Sequence, residues 1–194
     1  MSPVVTSDDV NRALKACDIE YKEIDIKLAG IIANKISDMT DSRNEAAMFL
    51  AQLIHESGGF QCLEEDPDSR RGRDYGEYYG RGFIQLTGKD NYEAAAKSLY
   101  HDQHYFQSAS NRQKIVDDPR VAMDVSVWFW KNEVRRKRGP ELNNFGLTTD
   151  AINGFLEEDW KGEVPKKRYR YYKSIANEFG IKDLASDKFY HKYQ

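Results

Sequence analysis

Cysteine, proline and long apolar runs are scarce in this chain, and each shortage excludes a class of protein. Two cysteines in 194 residues, Cys17 and Cys62, are too few for the disulfide framework of a small secreted scaffold. We expect two free thiols, with a single bridge as the less favoured alternative. Five prolines exclude a proline-rich or collagen-like chain. No run of about 18 apolar residues occurs, so no membrane span is predicted.

Neither sign of charge dominates, because 29 Lys and Arg residues stand against 32 Asp and Glu residues. The basic cluster at 131–138 is interpreted as a solvated helix end, since binding a phosphate backbone needs a wider basic face; we therefore expect no nucleic-acid partner. His101 and His104 have the spacing of helical metal ligands, but no third ligand is apparent. We expect no metal and no cofactor.

The length fits one domain, which we divide into a helical packing segment at 1–43, a catalytic core at 44–181 and a tail at 182–194. We expect a monomer. No apolar segment follows Met1, so the sequence shows no signal peptide. The compartment stays open, and a secreted or wall-directed protein is expected only if a leader has been removed.

Helical periodicity dominates the chain. The clearest helix runs over 44–56, where apolar residues recur every three or four positions and form one stripe. Ser42 and Glu45 have the spacing of a capping box at its start. Caps and apolar spacing predict further helices over 7–17, 23–37, 91–99, 118–131 and 165–180. The fold class is therefore mainly α.

Two acids near the end of the clearest helix are the candidate catalytic pair. Glu56 closes the helix before the glycine pair 58–59, where the helix dipole disfavours an ionised carboxylate. Glu65 lies beside Asp66 and Asp68 in a polar stretch and would stay ionised more readily, although these like charges oppose that assignment. Acids in unlike surroundings fit a general acid and a general base. Either acid alone indicates little, because most glutamates are solvated surface residues.

A turn-rich segment follows at 78–92. Two glycines bracket Arg81 in a predicted tight turn that presents this side chain. From Phe83 the chain is predicted to be extended, which places Phe83, Gln85 and Thr87 on one face. The hydroxyl and amide groups of this face are suited to binding a polar substrate.

Two motifs now carry a resemblance. Residues 55–59 read His-Glu-Ser-Gly-Gly, and residues 78–86 read Tyr-Tyr-Gly-Arg-Gly-Phe-Ile-Gln-Leu. Together they resemble the hallmark of the family 19 glycoside hydrolases, the plant-type chitinases and their bacterial and phage relatives. The resemblance implies a lysozyme-like α+β fold with many helices, a very small β element and a central substrate cleft.

Further elements follow in the family's order. Residues 126–131 are similar to its Ala-x-Trp-Phe-Trp helix, 151–154 to its Ile-Asn-Gly element and 168–173 to its Arg-x-x-x-Tyr helix. The resemblance spans about residues 44–181. Such a combination is specific, whereas no single element is.

The resemblance implies that Glu56 is the general acid, that Glu65 is the general base, and that the Thr87 hydroxyl helps to hold the attacking water. Substrate contacts are implied for Gln85, Asn91, Asn153, Tyr78 and Trp128. Because consecutive helical residues cannot all face one way, most of the aromatic run 128–130 belongs to the core, and Trp128 is the candidate for the cleft.

A supporting network is implied as well. Glu157 and Arg168 resemble a glutamate and an arginine of the family's supporting ionic network, which tunes the base, and His55 and Arg81 are expected to pack and pair behind the acid. Two departures are expected to reshape substrate subsites: Phe83 replaces the family's proline, and Phe155 replaces a glycine.

The implied reaction is endo-hydrolysis of β-1,4 links in chitin with inversion, which needs the two carboxyl groups roughly 6.5 to 9.5 Å apart. The short span 61–77 leaves the choice of Glu65 over Glu64 to spacing alone. Two other functions remain open: a peptidoglycan-degrading lysin, and a non-catalytic protein that binds chitin oligosaccharides. The slightly acidic balance leans toward chitin, since a lysin acting on an anionic wall gains from positive charge.

Overall fold

The computed structural model describes residues 3–17, 22–153 and 163–188, and helices dominate these ranges. The α-helices are α1 (Ser7–Ala16), α2 (Ile26–Met39), α3 (Arg43–Glu56), α4 (Lys89–Tyr100), α5 (Ala109–Asp117), α6 (Pro119–Phe129), α7 (Phe145–Asn153) and α8 (Glu163–Glu178). A 3₁₀ turn at Tyr105–Gln107 precedes α5. The predicted mainly α class is confirmed.

The first two helices begin at positions that differ slightly from the prediction. Thr6, and not Ser7, caps α1: its hydroxyl accepts a hydrogen bond from the Asp9 N–H at 3.1 Å. The Asp9 carboxylate accepts the Thr6 N–H in return, at 2.9 Å, which completes a capping box. Helix α2 begins at Ile26, because the Asp25 side chain caps it.

Helix α3 is the central helix, since every residue from 45 to 54 is buried. Ser42 caps it by accepting the Glu45 N–H at 3.2 Å. The other half of the predicted capping box is wrong, because the Glu45 carboxylate instead accepts hydrogen bonds from Trp130 at 2.9 Å and Arg135 at 2.8 Å. A buried carboxylate is better stabilised by a guanidinium than by one more backbone N–H.

Helix α6 begins as predicted, with the Asp118 side chain accepting the Arg120 N–H at 2.9 Å. It ends at Phe129, and one π-helical turn, Trp130–Val134, continues it. A 3₁₀ turn at Arg135–Lys137 follows. Trp130 is fully buried against Phe49, with 4.7 Å between the ring centroids.

The β structure consists of isolated bridges within the described ranges. Arg81 pairs antiparallel with both Glu64 and Leu86, and Asn144 pairs parallel with Ser186. This matches the expected very small β element. The pairs at Arg81 hold the Glu64 segment against the turn that leads into α4.

The chain after α8 packs back onto the domain. The Tyr172 hydroxyl accepts the Ala185 N–H at 2.7 Å, and the Tyr169 hydroxyl donates to the Ala185 carbonyl at 2.9 Å. Ser186 accepts the Phe145 N–H at the start of α7. The end of the predicted tail, 189–194, lies outside the described residues.

Both cysteines are free, as expected: Cys17 is buried and Cys62 is exposed. Burial raises the pKa of the Cys17 thiol to about 12. Within the ranges that the structure describes, no helix has both the length and the apolar character needed to cross a membrane.

Candidate active site

Glu56 is the last residue of α3, and its side chain is 15% exposed. Gly58, Gly59 and Phe60 follow with positive φ angles, so the helix stops where the sequence predicts. One Glu56 carboxylate oxygen lies 2.5 Å from a guanidinium nitrogen of Arg168. The guanidinium favours the ionised carboxylate and so opposes the effect of the helix end.

Arg168 is 1% exposed and belongs to a buried polar network. Its guanidinium also donates to Gln52 at 2.9 Å, and the Gln52 amide donates to the hydroxyls of Thr148 and Thr149, each at 2.9 Å. Gln52 lies one turn before Glu56 on α3. The network therefore joins α3, α7 and α8 behind the candidate acid.

Asn153 is the last residue of α7 and lies at the same end of the fold as Glu56. Two hydrogen bonds show that α3 and α7 run in the same direction: Asn44 meets Asn143 at 2.7 Å, and Gln52 meets Thr149. Asn153 lies four residues after Thr149 on α7, and Glu56 lies four residues after Gln52 on α3. Residues four apart share one face of a helix, so Asn153 and Glu56 lie on the faces through which α3 and α7 make contact.

Glu65 is partly buried, and hydrogen bonds hold both oxygens of its carboxylate. The Tyr75 hydroxyl donates to one oxygen, and the backbone N–H of Gly80 donates to the other at 3.0 Å. The neighbouring Glu64 carboxylate instead accepts a hydrogen bond from the Tyr79 hydroxyl at 2.5 Å. The two adjacent acids thus have separate partners.

Gly80 connects Glu65 to the polar face of the following turn. A side chain at this position would meet Gln85 Oε1 at 2.8 Å and Thr87 Oγ1 at 3.4 Å. The absence of a side chain therefore leaves Gln85 and Thr87 close to the backbone group that binds Glu65. The Thr87 hydroxyl donates to the Gln85 carbonyl at 2.8 Å, and the Asn91 amide donates to the Thr87 carbonyl at 2.8 Å.

The predicted extended run from Phe83 to Thr87 is wrong. Residues 82–85 form a turn that the Arg81 and Leu86 pair closes, and Gln85 has a φ of 52°. Phe83 is fully buried with its ring edge against Phe60, whereas Gln85 and Thr87 are partly exposed. Phe83 therefore packs in the core, and its expected effect on substrate subsites stays a prediction.

Arg81 is buried and not presented by the turn, which corrects a second expectation. Its guanidinium donates to the Glu77 carbonyl and the Tyr92 hydroxyl, both at 2.9 Å, and lies 3.6 Å from the centre of the Tyr79 ring. Glu77 and Tyr79 belong to the segment that follows the candidate base, and Tyr92 lies on α4. Arg81 is architectural, as expected, but it does not pack behind the acid.

His55 precedes the candidate acid and packs near Tyr171, with 6.1 Å between the ring centroids. Its Nδ1 is buried without a hydrogen-bond partner among the described residues. Burial, with the charges of Arg168 and Lys167, lowers the pKa of His55 to about 3. The ring is therefore neutral at ordinary pH and serves packing.

Three further predicted residues have different outcomes. Tyr78 is partly buried, with its ring edge against Tyr92 at 5.3 Å between centroids and the Arg112 guanidinium over its ring. Trp128 is 6% exposed and lies in the core, so its expected place in the cleft is wrong in this structure. Glu157, like Phe155, falls outside the described residues.

Arg168 is part of the ionic network that the resemblance implies. Among the described residues it forms an ion pair with Glu56, and its expected pairing with Glu157 stays a prediction because Glu157 lies outside the described residues. The donors to Glu65 are Tyr75 and Gly80. Sequence reasoning missed Tyr75 because it lies in an irregular charged stretch, with no spacing that relates it to Glu65.

Arg112 and Gln52 were missed as well. Arg112, on α5, is 4% exposed and binds the Glu77 carboxylate, which anchors the end of the segment that carries Tyr78. Gln52 lies one helical turn before Glu56, and this spacing is the feature of the sequence that could have pointed to Gln52.

No group of three His, Cys, Asp or Glu side chains within the described ranges is placed to hold a metal ion.

Comparison with known proteins gives the family. The sequence profile of a family described as chitinase class I matches residues 67–141. Endochitinase EP3 of Arabidopsis thaliana is 31% identical over 162 residues, which cover 76% of this chain and 55% of the relative. Basic endochitinase CHB4 of Brassica napus is 32% identical over 168 residues, which cover 80% of this chain and 59% of the relative. The chain belongs to glycoside hydrolase family 19.

Solved structures agree on the fold. The structure is similar to that of chitinase C from Streptomyces griseus, with a TM-score of 0.74. The two sequences are 24% identical, and the superposition covers 97% of this chain and 98% of that one. The class IV family 19 chitinase from Zea mays gives a TM-score of 0.68 at 23% identity, covering 95% of this chain and 98% of that one. The lysozyme-like, mainly α fold is therefore confirmed.

The family 19 match is partial in two respects. The chain spans little more than half the length of the curated relatives quoted above. The profile match begins at residue 67, after both Glu56 and Glu65. The roles of these two acids therefore remain predictions.

Proposed function

We propose that this family 19 protein is an endo-acting glycoside hydrolase that cleaves β-1,4 links between N-acetylglucosamine units with inversion. The observation that carries the proposal is the contrast between Glu56 and Glu65. Glu56 stands at a helix end on a buried guanidinium, and Glu65 stands on a loop with both carboxylate oxygens hydrogen-bonded. Acid and base roles require such different surroundings.

The reaction needs one proton donor and one proton acceptor. Glu56 donates its proton to the glycosidic oxygen as the bond from that oxygen to the anomeric carbon breaks. A water on the opposite face of the sugar attacks that carbon, and Glu65 takes the proton that the water loses. The hydroxyl of Thr87, which lies beside Gly80, orients this water. The product has the opposite anomeric configuration to the bond that was cleaved.

Arg168 sets the condition under which Glu56 can act. Its guanidinium favours ionised Glu56, but the acid must carry a proton when the glycosidic bond breaks. Gln52 shares the guanidinium with Glu56 and keeps Arg168 in place through Thr148 and Thr149.

We propose that the enzyme is a monomer and that its substrate is chitin. The names of the quoted curated relatives, both endochitinases, support chitin over peptidoglycan. The presence of Glu56, Glu65 and Thr87 supports an enzyme over a non-catalytic sugar-binding protein.

The proposal is tested by incubating the purified protein in parallel with chitin hexasaccharide and with purified peptidoglycan, followed by mass spectrometry of the fragments. We expect shorter N-acetylglucosamine oligomers from the hexasaccharide. Fragments from peptidoglycan alone would make the protein a lysin. Binding of the hexasaccharide with no product from either substrate would make it a sugar-binding protein.

A further inference from the structure

The segment from Asp66 to Tyr79 folds back over the candidate base. Arg70 donates through Nε to the Glu65 carbonyl at 2.9 Å, and its guanidinium lies 3.3 Å from the centre of the Tyr79 ring. The Tyr78 N–H donates to the Tyr75 carbonyl at 2.9 Å. These contacts bring the Tyr75 side chain to the Glu65 carboxylate, ten residues away in sequence.

The two donors to the Glu65 carboxylate differ in kind. Gly80 donates from the backbone, at 3.0 Å, to one oxygen. Tyr75 donates its hydroxyl to the other oxygen and is the side-chain donor to this carboxylate among the described residues. An ionised carboxylate accepts about four hydrogen bonds, so two such donors fix its orientation and leave lone pairs for a water.

Burial, together with the adjacent Glu65 carboxylate, keeps the Tyr75 phenol protonated. Burial, with the hydrogen bond and charge of Glu65, raises the pKa of Tyr75 to about 12, against smaller opposing effects of Arg73 and Arg70. The phenol therefore remains a donor throughout the pH range in which a glycosidase works. Glu64 is engaged by Tyr79 at 2.5 Å and lies 3.5 Å from Arg70.

We infer that Tyr75 is a positioning residue for Glu65, which holds the carboxylate toward the attacking water. The inference rests on the proposed function, in which Glu65 is the base. Nothing in the motifs of family 19 quoted above points to Tyr75, because it lies between them.

The chain offers a matched pair for the test. Tyr75→Phe removes the hydroxyl that meets Glu65, and Tyr79→Phe removes the hydroxyl that meets Glu64. Both changes keep the ring, and thermal melts verify that both variants fold. The pH profile of kcat/KM on chitin hexasaccharide is then measured for the wild type and both variants.

For Tyr75→Phe we expect kcat/KM near neutral pH to fall about tenfold, as for loss of one hydrogen bond to a charged group. The loss should appear in kcat more than in KM, because Glu65 acts in the chemical step. Tyr79→Phe should reproduce the wild-type profile. Equal profiles for the two variants would overturn the inference.

A second measurement does not depend on turnover. Carbon-13 NMR of glutamate side-chain carboxyls at neutral pH follows the Glu65 carboxyl resonance, assigned by comparison with Glu65→Gln. We expect Tyr75→Phe to change the chemical shift of this resonance, because the carboxylate loses a hydrogen bond, and Tyr79→Phe to leave it unchanged. An inactive wild type with this NMR result would refute the proposed function while keeping the contact; an unchanged resonance in Tyr75→Phe would refute the role of Tyr75 whatever the activity.

Discussion

At the scale of single residues, the two candidate carboxylates differ in what holds them. Glu56 is held by a charge, the guanidinium of Arg168, at 2.5 Å. Glu65 is held by neutral donors, the Tyr75 hydroxyl and the Gly80 N–H. The sequence motifs point to the two acids, but they do not reveal these partners, because Arg168 is more than 100 residues from Glu56.

The carboxylate assignments can be tested by amide substitution. We expect Glu56→Gln and Glu65→Gln each to lower kcat on chitin hexasaccharide by about 10² to 10⁴, the range for general acid–base catalysis. Glu64→Gln is the control and should stay within about twofold, since Glu64 contacts Tyr79 and Arg70. A large loss for Glu64→Gln with an active Glu65→Gln would show that the base is Glu64.

His55 makes stability depend on pH. Its pKa is about 3 in the folded protein because of burial, with Arg168 and Lys167 contributing, whereas the unfolded chain binds this proton below about pH 6.5. The stability that the neutral ring provides is therefore fully present above about pH 6.5. It is lost as pH falls toward 3, by at most about 1.4 kcal/mol per pH unit.

Urea unfolding between pH 4 and 7 measures this effect. We expect His55→Leu to lose free energy of unfolding less steeply than the wild type as pH falls. The difference should arise between pH 4 and 6 and level off near pH 7. Parallel curves for the two proteins would contradict the pKa argument.

At the scale of elements, local signals predicted six of the α-helices in the described ranges, missed α5 and α7, and predicted the turn before α4 poorly. Caps and apolar spacing placed α3 and α6 to within about two residues at each start, because Ser42 and Asp118 act locally. The run from Phe83 was predicted as extended from side-chain alternation alone. Its turn depends on left-handed backbone at Gly82 and Gln85 and on burial of Phe83, which tertiary packing decides.

Gly82 provides a test at this scale. It has a φ of 76°, and an added Cβ would lie 2.8 Å from the Ile115 side chain and 3.2 Å from its carbonyl. Gly72 has nearly the same φ, 77°, but no atom lies within 4 Å of an added Cβ. It is therefore a control for backbone strain without a clash.

We expect Gly82→Ala to lower the free energy of unfolding by about 2 to 4 kcal/mol, from strain plus overpacking. Gly72→Ala should lose about 1 kcal/mol, from strain alone. Urea unfolding at neutral pH measures both losses. Equal losses would show that the turn does not depend on close packing against α5.

At the scale of the whole molecule, the acid and the base belong to different supports. Glu56 is tied through Arg168 and Gln52 to α7 and α8, and Glu65 is tied through Tyr75 and Gly80 to the segment before α4. The family and its fold were predictable because several motifs recur in order. The side chains that support the two acids were not predictable, because they come from distant segments with no distinctive sequence pattern. Trp128 also shows that a motif residue can lie in the core.

The roles proposed for the two acids have one stereochemical consequence. If a water enters between Glu65 and the sugar while Glu56 protonates the leaving oxygen, the first product carries the inverted configuration. The anomers released from chitin hexasaccharide in the first minutes, separated by rapid chromatography before they interconvert, test this directly. We predict an excess of the α-anomer that Glu56→Gln abolishes; an initial excess of the β-anomer would contradict the proposed mechanism.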